Sequence, residues 1–179
     1  MSNPKSNIDF RLMSWTYKLR DFFSPRTNIL AEAGIKPGFN VLDYGCGPGG
    51  YIKGAAELVG ESGKIYALDI HPLAIEMVRK TTRKAGLSNV ETILSDCATG
   101  LPDESIDLVL LYDVFHDLGD PDKILKELHR VLKPKKIISF SDHHLKENEI
   151  KTQLESNGLF KLLRKGEKTY SFVKIISDR

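Results

Sequence analysis

Between positions 41 and 51 the chain reads Val-Leu-Asp-Tyr-Gly-Cys-Gly-Pro-Gly-Gly-Tyr, an apolar run that ends in a carboxylate and then breaks into glycines. This pattern describes a buried strand that turns sharply into a helix, and it commits its surroundings to an α/β arrangement with a cleft at the strand's carboxyl end. Glycine tolerates positive φ and has no Cβ to hold a bound molecule away. Such a density of it is unfavourable unless a ligand touches main chain there. A plain strand-to-helix turn is the competing reading.

Asp43 decides the ligand more than the glycines do. Gly45, Gly47 and Gly50 also satisfy the dinucleotide fingerprint G-x-G-x-x-G. A carboxylate two residues before the first glycine, however, would lie near a pyrophosphate, and like charges in a partly desolvated cleft repel. A cation fits better, such as a ligand with an adenosine at one end and an α-ammonium and a sulfonium at the other. At this point the sequence resembles the class I S-adenosylmethionine-dependent methyltransferases of the UbiE-like, small-molecule type. Their first motif, a hydrophobic strand followed by acid-x-Gly-x-Gly-x-Gly, is present as Asp43-Tyr44-Gly45-Cys46-Gly47-Pro48-Gly49. The resemblance implies S-adenosyl-L-methionine as cofactor, held by Asp43, Gly45, Gly47 and Gly49. It also implies a Rossmann-like three-layer sandwich whose seven-stranded, mostly parallel sheet ends in a C-terminal antiparallel hairpin.

At 179 residues, 41% hydrophobic and 28% charged, the chain suits one domain spanning 1–179, with residues 1–24 as a tail and helix. A net charge of +2 gives no reason to infer a nucleic-acid or membrane surface. The densest basic cluster, Lys133, Lys135 and Lys136, reads as a solvated turn. No long apolar span or signal-peptide core interrupts the sequence, so a cytoplasmic protein is expected. Cys46 and Cys97 have neither the number nor the spacing of a disulfide framework or zinc site.

Taken in order, residues 10–23 form an unusually aromatic stretch expected to be a helix. The resemblance places such a helix over the cofactor cleft, with Trp15 and Tyr17 in the substrate pocket; ordinary core contacts are the alternative. Ser24-Pro25 reads as a helix start and Gly34 as its stop. A helix over 51–59 presents N–H groups to the cleft. The second strand, 64–68, finishes in Asp69 about twenty residues past the glycines, where the ribose of a bound adenosine needs an acceptor. Ile70 is placed to pack on adenine, and His71-Pro72 reads as a cap. A third strand over 90–94 leads to Asp96 and Cys97, to which the resemblance gives the adenine amine and a ring nitrogen. A fourth, 106–112, is apolar apart from Asp107, reads as buried on both faces and brings Tyr112 to the cofactor side. Asp120-Pro121 restarts a helix that runs to Pro134. A fifth strand over 137–141, a helix over 147–157 and a hairpin of 160–164 with 170–176 complete the pattern.

Methyl transfer from a sulfonium needs mainly positioning and exclusion of water. A base is required when the acceptor is an alcohol, phenol or protonated amine. His116, past the fourth strand, is the first candidate, followed by Asp113, His143 and His144. Solvated or capping histidines are the alternative. Asp113, Asp142, His143 and His144 also invite a metal reading, since some members of the resembling family hold a divalent ion there. Hard cations prefer more carboxylate oxygen, and no metal is expected. The Asn-Pro-Pro-Tyr type of signature is absent, so nucleic-acid methylation is disfavoured and a small-molecule acceptor is expected. Two other functions fit the same residues: a non-catalytic S-adenosylmethionine-binding module and an NAD(P)-dependent oxidoreductase. The oligomeric state is not legible.

Overall fold

The alternation of strands and helices closes into one seven-stranded sheet in the computed structural model, which describes residues 27–176. The elements are α1 (Thr27–Ala33), β1 (Asn40–Tyr44), α2 (Ile52–Val59), β2 (Lys64–Asp69), α3 (Pro72–Ala85) and β3 (Val90–Leu94). Then follow β4 (Ile106–Tyr112), a 3-10 turn (Phe115–Asp117), α4 (Pro121–Val131), β5 (Leu132–Ser141), α5 (Glu147–Glu155), β6 (Phe160–Lys165) and β7 (Tyr170–Lys174). Strand order is β3-β2-β1-β4-β5-β7-β6. The first five strands run parallel, and β7 inserts antiparallel between β5 and β6. The order reverses between β1 and β4, which leaves a crevice at their carboxyl ends. Trp15, Tyr17 and the Ser24-Pro25 start lie outside the described residues.

Among the described residues, two separate cores sandwich the sheet. On one face Leu30, Ala33, Ile52, Ala55, Ala56, Val59 and Val78 from α1, α2 and α3 pack on Val41, Ile65, Leu108 and Leu110. On the other, Ile124, Leu125, Leu128, Ile150 and Leu154 from α4 and α5 cover Leu42, Val109, Leu111 and Phe140. Every residue of β4 is buried, Asp107 included, because both layers cover the strand, as the apolar run from Leu108 to Tyr112 requires. Truncating a wholly enclosed side chain such as Leu125 would cost about 2–5 kcal/mol.

Helix ends follow local chemistry. His71 Nδ1 accepts from the Leu73 N–H at 3.1 Å ahead of Pro72, so the capping reading of His71 holds. Gly86, at φ +66°, ends α3 in the left-handed conformation. Asp120 caps α4 through the Lys123 N–H at 3.0 Å.

The start of β5 departs from expectation. The helix stops at Val131 rather than at Pro134, and the strand begins at Leu132 rather than at 137. Leu132 is fully buried opposite Ile106, and pairing resumes only at Ile137 opposite Leu108. The intervening residues bulge out, with Lys135 at φ +60°. The bulge accommodates Pro134, which has no N–H to give a ladder. It also brings Lys133 and Lys136 onto Asp107, at 2.8 and 3.3 Å. The basic cluster is therefore not simply solvated. Asp107 accepts the Asn40 N–H as well, at 3.0 Å. Burial alone would raise its pKa; hydrogen bonds from Lys133 and Asn40 and the lysine charges outweigh that and hold it below the usual carboxylate range.

Candidate active site

The glycine loop is fastened to the end of β2. Gly45 and Cys46 both donate their N–H to the Leu68 carbonyl, at 2.8 and 2.9 Å, and Gly47 donates to Asp69 Oδ2 at 2.8 Å. Gly45, Gly47 and Gly49 all have positive φ, at 77°, 50° and 85°. They need glycine for different reasons. A Cβ on Gly45 would fall 2.5 Å from Val114, and one on Gly49 would fall 2.9 Å from Val78, so these two allow close packing. A Cβ on Gly47 would meet nothing within 4 Å among the described residues, so the bare main chain there borders space that they leave open for a ligand. The contact of Gly45 with Val114 also places the loop after β4 directly against the glycine loop.

Carboxylates set the electrostatics. Asp43, at the end of β1, is only 2% exposed, and Asp69, at the end of β2, is 8% exposed. Burial raises the pKa of the Cys46 thiol well above its ordinary value, and the charges of Asp43 and then Asp69 push in the same direction. Two buried carboxylates thus border the loop, an arrangement that suits a cationic guest. The Asp69 pKa is also raised by burial, against the opposing effect of N–H groups from His71, at 2.8 Å, and Gly47. Each Asp69 oxygen has one such partner and retains lone-pair capacity.

Ile70 is half-buried beside Asp69, and Asp96 is exposed beyond β3. The Cys97 N–H points to Ser95 Oγ at 3.2 Å, so it already has an intraloop partner. The Asp96 carbonyl accepts from Tyr44 Oη at 3.3 Å. Further along this loop the Thr99 N–H and hydroxyl donate to Glu127 Oε1 of α4, at 2.8 and 2.6 Å. Arg130 pairs with the same carboxylate and, with Thr99, holds its pKa down to about 2. Tyr44 and Glu127, unnoticed in the sequence, are what fix the loop bearing Asp96. Tyr112, expected at the cofactor, lies in the core: it is 5% exposed, meets Tyr51 edge-on at 5.0 Å and shares a 2.7 Å hydrogen bond with Ser139.

Beyond β4 and β5 the histidines and aspartates form reciprocal pairs. His116 Nδ1 lies 3.0 and 2.9 Å from the two oxygens of Asp142. His143 Nδ1 lies 2.7 Å from Asp113 Oδ1. Each pair joins the loop of one strand to the end of the other. The Asp113 N–H donates to the Ser141 carbonyl at 2.7 Å, and Asp113 itself sits at φ +50°, a conformation aspartate tolerates better than most. The His144 ring lies between the other two, with centroids 4.0 Å from His116 and 3.9 Å from His143. The His116 side chain is 21% exposed and that of Asp142 is 0%; His143 is 56% exposed.

Asp113, Asp142 and His143 each offer one ligating atom, all within 4.8 Å of one another. Asp142, however, also accepts the N–H groups of His116 and His144, at 3.1 and 3.0 Å. With Nδ1 of His116, these partners already occupy both of its oxygens. A separate groove of about 580 Å³ between α3 and the β3 edge is lined by none of the predicted site residues.

Comparison with known proteins agrees with this geometry. A family described as a methyltransferase domain matches residues 35–174. The chain is 31% identical over 152 residues to the protein-L-isoaspartate O-methyltransferase of Pyrococcus horikoshii, covering 84% of this chain and 65% of that protein. It is 34% identical over 104 residues to the ubiquinone/menaquinone biosynthesis C-methyltransferase UbiE of Escherichia coli, covering 57% of this chain and 41% of that one. The chain thus spans less than two thirds of either relative. A solved SAM-dependent methyltransferase from Aquifex aeolicus superposes with a TM-score of 0.74 at 30% identity, covering 88% of this chain and 95% of the other. The motif, the sheet order and these matches together make the chain a member of the class I S-adenosylmethionine-dependent methyltransferases.

Proposed function

We propose that the protein transfers a methyl group from S-adenosylmethionine to a small-molecule acceptor, with His116 as the base that receives the acceptor's proton. The observation that supports this most is the bare main chain at Gly47, left open by the described residues and flanked by the buried carboxylates Asp43 and Asp69. In this reading Asp43 and the loop from Gly45 to Gly49 hold the charged amino-acid end. Asp69 accepts from the ribose hydroxyls, and Ile70, Asp96 and Cys97 border the adenine. When bound, the cofactor supplies an electrophilic methyl group on sulfur. The chain itself contributes position, exclusion of water and removal of one proton.

A small-molecule acceptor agrees with the name of the UbiE relative. A protein acceptor is the second reading, favoured by the name of the Pyrococcus relative. Incubation with radiolabelled S-adenosylmethionine and a cell extract, separated by size, distinguishes the two: label in low-mass metabolites supports the first and label in protein the second.

Titration calorimetry with S-adenosylmethionine, NAD and NADP tests the class of ligand. Binding of the sulfonium compound alone is the expected outcome, and binding of a dinucleotide alone would favour an oxidoreductase. His116→Ala is expected to slow transfer by about 10²-fold or more while leaving cofactor affinity intact. Normal turnover of the acceptor by that variant would remove His116 from the mechanism. A wild-type protein that binds the cofactor but labels nothing would favour the non-catalytic module.

A further inference from the structure

We propose that Asp142 is the positioning residue of the site: it fixes the His116 imidazole in the tautomer that carries its proton on Nδ1, leaving Nε2 as the basic atom. The inference rests on the reading of His116 as the base and assigns a role to a residue that reading does not use. A carboxylate oxygen accepts hydrogen bonds and an ionised one cannot donate, so Nδ1 at 3.0 and 2.9 Å from Asp142 must be the donor. The neutral ring then has its lone pair on Nε2.

Several features hold this arrangement. The Asp142 side chain is fully enclosed, at 0% exposure, so water does not compete for its oxygens. Backbone N–H groups on both sides of the pair, those of His116 and His144, anchor the two carboxylate oxygens. The carboxylate therefore cannot swing away from the imidazole without breaking them. Opposite, the His144 ring lies 4.0 Å from the His116 ring and limits its tilt. Nε2 lies 3.6 Å from Asp117 Oδ2, which is beyond hydrogen-bond length. The balance of the step is simple. The acceptor X–H bond breaks towards Nε2, an X–C bond forms, and the electrons of the breaking C–S bond remain on sulfur.

The engaged state of Asp142 also separates this role from metal binding. An ion taking Asp142 together with Asp113 and His143 would have to displace His116 or a backbone N–H from a buried oxygen.

The test is the tautomer itself, read by long-range proton–nitrogen correlation in protein labelled with ¹⁵N-histidine, at a pH where the ring is neutral. Wild type is expected to hold His116 mainly as the Nδ1–H form. Asp142→Asn replaces an acceptor oxygen with an amide that can donate to Nδ1, and is expected to shift the ring to the Nε2–H form and to lower methyl transfer. Asp142→Glu, which restores a carboxylate, is expected to return the ring towards Nδ1–H. A purely structural Asp142 would leave the tautomer unmoved in a folded Asn variant, and that result overturns the proposal. If the Asn variant does not fold, wild type still decides: a majority of Nε2–H overturns it. Loss of S-adenosylmethionine binding by wild type in calorimetry would instead sink the functional reading and leave the tautomer assignment standing.

Discussion

Asp69 and Asp107 are each 8% exposed, yet they sit at opposite ends of the sheet and are treated in opposite ways. Asp69, where β2 enters the crevice, is held by N–H groups and among the described residues has no lysine or arginine partner; burial wins and its pKa rises. Asp107, near the start of β4, is gripped by Lys133, Lys136 and the Asn40 N–H, and its pKa falls. The difference teaches which end is built for stability. An ionised carboxylate left short of cations weakens the empty fold and becomes an asset only when a ligand uses it. One already paired with two lysines has little left to offer a guest.

The strongest way to test this division is at the seam between the two loops of the site. Gly45→Ala is expected to lower stability by about 1 to 2 kcal/mol for its left-handed backbone, plus about 1 to 3 kcal/mol for displacing Val114. Denaturant unfolding measures it, and an unchanged midpoint would mean that the glycine loop and the loop after β4 are not in firm contact.

Next comes a crossed pair of substitutions. Asp69→Asn should weaken S-adenosylmethionine binding by about 1.5 to 3 kcal/mol while leaving the melting temperature unchanged or higher. Asp107→Asn should lower the melting temperature, leaving its lysines short of an anion, without changing cofactor affinity. Calorimetry and thermal melts on both variants check the cross, and parallel behaviour of the two would break the comparison.

Acid sharpens it further. Asp107 and Glu127 have folded pKa values below their ordinary ones, Glu127 at about 2. Both therefore contribute stability that is complete above the usual carboxylate range and is lost as pH falls through the folded values. Asp69 has the opposite sign: its raised pKa makes the fold less stable as pH rises through the interval between its unfolded and folded values. Stability measured between pH 5 and 2 is expected to fall less steeply in Glu127→Gln than in wild type. The smallest effect belongs to Lys136→Ala. Its side chain is 34% exposed and 3.3 Å from Asp107, so a loss of no more than about 1 kcal/mol is expected in denaturant titration.

Much of the fold was legible because its signals were local. A strand apolar but for Asp107, a glycine run and a cap such as Asp120-Pro121 state their conformations within a few residues. The place of Asp69 at the end of β2 was legible by spacing alone. What escaped detection depends on partners distant in sequence. Glu127 contacts Thr99 across 28 positions, and Asp142 reaches His116 across 26. Sequence order shows Asp142 beside His143 and His144 and gives no sign of a partnership with His116. The fold instead gives it to His116, because the ends of β4 and β5 lie side by side. The early start of β5 escaped for a related reason: Leu132 looks helical until its partner Ile106 is known.

The carboxylate of Glu32 in α1 accepts from the main-chain N–H groups of Lys168 and Thr169 and from the Thr169 hydroxyl. Those partners emerge from the ribosome 136 and 137 residues after it. A nascent chain can lay down β1 and the glycine loop early, but α1 has no hairpin to grip until the segment bearing Lys168 and Thr169 has been made. The clasp is a late event by construction, and for most of translation α1 must wait for it or lean on other support.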